Sequence, residues 1–127
     1  MDIIRPITVT DSVLTSSNIT EDDYAEWASG TTYATGDNVI VLSTHRIYES
    51  LIDANTGNDP TTDDGTKWLD IGATNRWKAF DQKISDPVLG TTTIEYELTS
   101  STEYATAVAL FGLSASSATI VATDTGG

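Results

Sequence analysis

A polar loop in the middle of the chain carries oxygen ligands at a regular spacing. Asp53, Asn55, Gly57 and Asp59 recur at every second residue, and Asp64 falls at the twelfth position counted from Asp53. This spacing is similar to that of a calcium-binding EF-hand loop. However, the sixth position holds an asparagine instead of the required glycine, and a proline occupies the eighth position. We therefore predict an ordinary polar loop without a metal, and keep as the weaker alternative a calcium site formed by Asp53, Asn55, Asp59 and Asp64.

Four aromatic side chains in the first half of the chain are candidates for carbohydrate binding. Aromatic rings offer large apolar faces on which sugar rings can stack, so a surface cluster of them could form a glycan platform. In so small a unit, however, large aromatics must also supply much of the buried core. The sequence favours the core over the platform for all four residues, which are Trp27, Tyr33, Tyr48 and Trp68.

Residues suited to catalysis are sparse. His45 is the single histidine, and a nucleophilic triad needs a serine and a carboxylate to converge on it. Glu95 and Glu97 would share one strand face at a separation of about 6 to 7 Å, but that face is opposite the apolar one and therefore solvated, whereas a general acid needs a desolvated pocket. We predict that the protein is not an enzyme, has no cofactor, and places His45 in a partly solvated hairpin turn.

Composition and charge narrow the class of partner. The 127 residues include six Lys and Arg, nineteen Asp and Glu and no cysteine, giving a formal net charge of -13. Such a surface disfavours nucleic acid, whose binding begins with cationic neutralisation of phosphates, and it disfavours anionic membranes for the same reason. Without cysteine, neither disulfides nor thiolate metal sites can form. The N-terminal residues lack the basic and apolar regions of a secretory signal.

The sequence predicts a mainly β fold. Thr and Ser make up about a quarter of the chain, which favours strands and turns. Alternating and apolar runs predict strands at residues 38–42, 46–51 and 68–72 in the first half and at 93–98, 105–111 and 118–123 in the second. The only helix predicted is a short one at residues 20–27, which Thr20 would cap and which has acidic residues in its first turn.

These elements divide the chain into four stretches. We predict an N-terminal arm at residues 1–21, a small three-stranded β domain at 22–72, a connector at 73–90 that Trp77 and Phe80 anchor, and strands of an antiparallel β-sandwich at 91–127. Three strands are few for an independent sandwich. We therefore expect the sandwich to be partial, and completed either by another chain or by later residues of a longer polypeptide.

The middle stretch resembles the carbohydrate-binding modules of families 5 and 12, which are small chitin-binding-type β domains. The resemblance rests on an ordered series formed by Trp27, Tyr33, Gly36-Asp37 with Val39, Tyr48, Pro60 and Trp68. It implies the fold of those modules. Chitin-binding members also carry a pair of exposed aromatics soon after the hairpin tyrosine, whereas residues 49–55 here contain no aromatic side chain, so sugar binding is implied only weakly.

The whole chain resembles the N-terminal part of tailed-bacteriophage virion proteins. The stretches that carry this likeness are residues 5–10, 21–27, 45–51 and 72–81. Such proteins join a carbohydrate-module-like domain to β-sandwich domains in the tail or its appendages. The resemblance implies a structural tail protein of the virion that assembles with other tail proteins and with copies of itself. The alternative is a glycan-binding module that contacts a host surface polysaccharide.

Overall fold

The fold is described here from a computed structural model, which defines residues 7–81, 83, 86–90, 92–99, 107–110 and 112–123. The prediction of a mainly β protein is confirmed. Seven strands are present in the described residues, and all of them pair in antiparallel fashion. They are β1 (Leu14–Ser17), β2 (Thr32–Tyr33), β3 (Asn38–Val41), β4 (Arg46–Ser50), β5 (Asn55–Thr56), β6 (Trp68–Ala73) and β7 (Tyr96–Leu98), and one 3-10 turn spans Lys78–Phe80.

The central sheet has the strand order β3-β4-β6 and contains the predicted hairpin and closing strand. A tight turn precedes β3, where Gly36 adopts a φ of 89° that glycine tolerates without steric cost and donates its N–H to the Ser50 carbonyl at 2.7 Å. On the other side of β4, Arg46 pairs with Ala73 and Ser50 with Trp68, with a bulge opposite the step from Ile47 to Tyr48. The predicted positions of these three strands are confirmed to within one residue.

One face of this sheet carries the first hydrophobic core. Its buried members are Tyr33, Val39, Tyr48 and Trp68, and Trp27 and Val41 pack against them. Tyr33 and Trp68 meet edge to face with ring centroids 5.2 Å apart, an arrangement that aromatic quadrupoles favour. This part of the fold is therefore assembled mainly from aromatic rings.

A second core joins segments that lie far apart in the sequence. Leu14, Ala73 and Trp77 are buried together, with Val9, Phe80 and Tyr96 packed around them. The two-stranded sheet β1-β7 carries Leu14 and Tyr96 into this cluster. The end of the predicted arm, the start of the connector and the first strand of the predicted sandwich thus pack on one another.

The predicted helix at residues 20–27 is wrong. These residues form bends and a single bridge between Glu26 and Ile40, and the Thr20 hydroxyl donates to Asp22 rather than to a backbone group. Two of the acidic side chains that predicted a first helical turn form hydrogen bonds with the region after β6 instead. Glu21 accepts the hydroxyl of Thr74, and Asp23 accepts the backbone N–H of Asn75. Tertiary contacts have overridden a weak local preference.

The two last predicted strands are wrong wherever the structure describes them. Residues 107–110 and 118–123 have no regular secondary structure and are exposed, while residues 105, 106 and 111 lie outside the described residues. Of the predicted strand at 93–98, only Tyr96–Leu98 is formed, and it pairs with β1. A strand needs a neighbour for its backbone N–H and C=O groups. Of the three predicted sandwich strands, only the described residues of the first pair with another strand. Residues 1–6 of the predicted arm lie outside the described residues.

Candidate functional site

Three of the four candidate sugar-binding aromatics lie inside the first core. Tyr33, Tyr48 and Trp68 are only 8%, 9% and 2% exposed. The polar groups of two of these rings are also hydrogen-bonded within the protein. The Tyr33 hydroxyl accepts the N–H of Ala28 at 2.9 Å, and the Trp68 indole N–H donates to the Asn58 carbonyl at 2.9 Å. These ring faces are packed against protein, so they support the fold and do not form a surface platform.

Trp27 differs from the other three because it is only half-buried. Its backbone N–H donates to the Ile40 carbonyl at 2.9 Å, which holds it beside the edge of the central sheet. The indole nitrogen is buried and has no hydrogen-bond partner among the described residues. Trp27 is thus the one candidate aromatic that combines packing on the core with access to the surface.

A shallow, open cleft of about 300 Å³ lies beside Trp27. Its polar lining includes two carboxylates and two hydroxyl groups, those of Glu26, Asp59, Ser43 and Thr61. One carboxylate oxygen of Asp59 already accepts two hydrogen bonds from Thr61, one from its backbone N–H and one from its hydroxyl, both at 2.8 Å. An apolar ring next to carboxylate and hydroxyl groups could accept a small polyhydroxylated ligand by stacking and hydrogen bonding.

The candidate calcium ligands are engaged in separate local contacts. Asp53 accepts the N–H of Thr35 at 3.0 Å, and Asp64 accepts the hydroxyl of Thr66 at 2.7 Å. The buried Asn55 amide instead donates to Ser50 and accepts from Asn58. The described residues contain no group of three or more His, Asp or Glu side chains placed to hold a metal ion.

Asp63, which sequence reasoning did not single out as a ligand, organises the end of this loop. One oxygen of its carboxylate accepts the backbone N–H groups of Gly65 at 2.9 Å and of Lys67 and Trp68 at 3.1 Å. Desolvation opposes ionisation of the carboxylate, but the three hydrogen bonds and the nearby Lys67 charge outweigh it and lower the pKa of Asp63. The side chain therefore holds the loop in position for Trp68 to enter the core.

The glutamates considered for glycosidase chemistry are exposed on the β1-β7 ribbon. Glu95, Tyr96 and Glu97 line a groove of about 330 Å³ together with residues 16–18, and both glutamates face solvent. Tyr96 is partly buried, which raises its pKa to about 12, and its hydroxyl donates to the Arg76 carbonyl at 2.9 Å. Its neutral phenol thus serves packing between β7 and the region after β6.

His45 lies in the turn between β3 and β4, as the sequence predicts, but it makes contacts that the sequence did not reveal. Its Nδ1 lies 3.0 Å from Glu21 Oε2 and its Nε2 lies 2.9 Å from Asp11 Oδ1. Its ring stacks on Trp77 with centroids 4.0 Å apart and planes 19° apart. Both ring nitrogens face carboxylates, so neither is placed to take a proton from a hydroxyl nucleophile.

Glu21 is the centre of this cluster. Besides His45, its carboxylate accepts the Thr74 hydroxyl at 2.8 Å and the Trp77 indole N–H at 3.0 Å. These partners lie 24 to 56 residues away in the sequence, so no local motif could have indicated them. The one available signal was a lone histidine in a strongly acidic chain.

Comparison with known proteins gives no relative: no family model, curated protein or solved structure matches the chain. Among the residues that the structure describes, no helix is long and apolar enough to span a bilayer.

Proposed function

We propose that this chain is a structural component of a bacteriophage tail or tail appendage that acts through protein–protein assembly. A sequence resemblance supports the phage-tail role, and one structural observation supports assembly. Residues 107–110 and 112–123, called the apolar segment below, present exposed aliphatic side chains. Exposed fractions range from 55% to 79% for the largest of them, which are Val108, Leu110, Leu113, Ile120 and Val121.

Exposed apolar side chains concentrated in one segment favour a binding role. Monomeric soluble proteins rarely leave contiguous apolar patches bare, and such patches commonly mark interfaces. Segments rich in aliphatic and β-branched side chains can also form strands once a partner supplies the missing backbone hydrogen bonds. The proposal is therefore that the apolar segment pairs with a tail protein, including further copies of this chain.

Self-association of the chain tests this proposal. We expect the whole chain to form oligomers in size-exclusion chromatography with light scattering, and the double variant Val108→Ser, Leu110→Ser to shift toward the monomer. Leu89→Ser is the matched control, because Leu89 is 68% exposed but lies outside the apolar segment. A wild-type chain that stays monomeric at high concentration, or a control that dissociates as fully as the double variant, would contradict assembly through this segment.

The tail location needs a separate experiment. An antibody raised against the chain, applied to purified particles of the source phage, should label the tail under the electron microscope. Labelling of the capsid alone, or absence of the chain from particles by mass spectrometry, would reject the proposed location while leaving self-association open.

The second candidate function is glycan binding at the cleft beside Trp27. What favours it is the half-exposed indole together with the carboxylates and hydroxyls that line the cleft. We do not expect chitin to be the ligand, since residues 49–55 lack the exposed aromatic pair of the chitin-binding modules. The purified chain should pass through chitin beads without retention.

A glycan array on the whole chain tests the second candidate with other sugars. Binding that Trp27→Ala abolishes and Tyr24→Ala preserves would support the cleft, since Tyr24 is an aromatic residue with 43% exposure that does not line it. Circular dichroism must show that Trp27→Ala keeps its fold. Absence of binding to every glycan on the array would remove this candidate.

A further inference from the structure

The His45 ring is held between two carboxylates from different segments of the chain. Its Nδ1 lies 3.2 Å and 3.0 Å from the two oxygens of Glu21, and its Nε2 lies 2.9 Å from Asp11 Oδ1. An ionised carboxylate only accepts hydrogen bonds, and a neutral imidazole has a single N–H. Both contacts can be hydrogen bonds at the same time only when the ring carries both protons and a positive charge.

The two carboxylates are not equally free to move. The Glu21 side chain is only 10% exposed and is fixed further by Thr74 and Trp77. The Asp11 side chain is 78% exposed and lies in the turn that leads into β1. When the ring loses one proton, Nδ1–H can stay with Glu21, whereas the lone pair of Nε2 then faces the Asp11 carboxylate and the attraction is lost.

The remaining surroundings of the ring do not supply a competing charge. Trp77 stacks on one face without titrating, and Thr74 donates its backbone N–H to the His45 carbonyl. The neighbouring Arg46 is engaged in a two-point pair with Asp70. In the described residues, Asp11 and Glu21 are thus the charged groups that contact the imidazole.

The backbone at His45 also indicates that these contacts hold the ring in place. His45 has a φ of 56°, a left-handed conformation that costs a residue other than glycine some strain. The Thr74 N–H bond and the ring contacts fix this conformation at the turn between β3 and β4. The imidazole is therefore presented to Asp11 by a rigid support.

We propose that His45 is a pH-dependent clasp that binds the N-terminal turn at Asp11 to the β3-β4 hairpin. Because only the doubly protonated ring can donate to both carboxylates, the clasp is closed when the ring is charged, at lower pH, and opens when the ring loses a proton at higher pH. Opening would release Asp11 and Ser12 from the hairpin, while Val9 and Leu14 on either side of them stay packed in the second core.

Nuclear magnetic resonance of the whole chain tests the clasp directly. With one histidine in the sequence, the ring Hε1 resonance is assigned without ambiguity. Asp11→Asn should lower the pH midpoint of this resonance, because the charged ring then loses one of its two carboxylate partners. In the wild type, the backbone amides of Asp11 and Ser12 should shift with the same midpoint as the ring.

Asp64→Asn is the matched control, because it removes the same charge from an exposed residue in the loop at the opposite end of the central sheet. It should leave the midpoint nearly unchanged. Equal midpoints in the wild type and Asp11→Asn would overturn the proposal. So would amides of Asp11 and Ser12 that do not follow the ring, since the contact would then exist without moving the N-terminal turn.

Discussion

Single polar side chains connect parts of this protein that are distant in sequence. Glu21 joins the segment before β2 to His45, Thr74 and Trp77, and Asp63 ties together three backbone N–H groups at the entry to β6. Buried polar groups are costly unless they are hydrogen-bonded, and these carboxylates satisfy several donors each. We therefore expect substitutions at such residues to act on stability before they act on binding.

Trp68→Ala should unfold the first core or come close to it. Trp68 is 2% exposed, contacts Tyr33 edge to face and donates to the Asn58 carbonyl. Truncating a buried tryptophan typically costs about 3 to 5 kcal/mol, which is a large part of the roughly 5 to 15 kcal/mol that stabilises a domain. Chemical denaturation should show this loss, whereas Leu69→Ala, at a neighbouring residue with 48% exposure, should change stability by less than about 1 kcal/mol. A Trp68→Ala variant of near-native stability would mean that the indole is not buried.

Asp63 should make the protein sensitive to acid. Because the folded state lowers the pKa of this carboxylate, its contribution to stability is complete above the ordinary aspartate value of about 3.9 and is lost as pH falls through the lower, folded value. Asp63→Asn should therefore be less stable than the wild type at neutral pH and should lose less stability on acidification. Thermal melts between pH 2 and 7, run alongside Asp64→Asn, measure this, and parallel pH profiles for wild type and Asp63→Asn would contradict it.

At the scale of elements, the second core depends on pairing between two strands that lie far apart in the sequence. β1 pairs with β7, which lies about eighty residues later, and the Thr99 N–H donates to the Val13 carbonyl at 2.8 Å. A two-stranded ribbon alone is marginal in water, so its stability comes from packing Leu14 and Tyr96 against Trp77 and Phe80. The ribbon and the second core should therefore form and melt together.

Leu14→Ala tests this coupling. Removing a buried leucine side chain costs about 2 to 5 kcal/mol, and we expect the loss to appear as faster hydrogen exchange at Thr99 and Tyr96 while the amides of β3 and β4 stay protected. Leu98→Ala is the matched control, because Leu98 is its cross-strand partner but is 49% exposed. Uniformly faster exchange throughout β3, β4 and β6 would show instead that both cores unfold as one unit.

At the scale of the whole molecule, a strongly acidic surface is combined with an exposed apolar segment. A net charge of -13 makes copies of the chain repel one another, and salt shortens the range of this repulsion to about 10 Å at 0.1 M. If the apolar segment drives self-association, as proposed, the oligomer should become tighter as salt rises from about 0.01 to 0.3 M. Analytical ultracentrifugation across this range measures the effect, and dissociation with rising salt would indicate contacts between opposite charges instead.

The sequence by itself determined the central sheet. Alternating and β-branched residues at 38–42 and 46–51, with a Gly-Asp turn before them, specify a hairpin through local preferences alone, and the structure places β3 and β4 there. The preference for a buried role of Tyr33, Tyr48 and Trp68 also follows from size, since a small unit has few other residues with which to build a core. Local pattern sufficed where neighbouring residues in sequence are also neighbours in space.

Only the tertiary structure decided the rest, because the contacts concerned join residues far apart in the chain. Glu21 looked like part of a helical first turn, but its carboxylate gains three partners, His45, Thr74 and Trp77, by leaving the helix unformed. Likewise, residues 118–123 have the apolar and β-branched composition of a strand, yet they are exposed and do not form one. A sequence pattern can indicate that a segment favours the extended conformation. A strand nevertheless forms only where a second backbone is present to pair with its N–H and C=O groups.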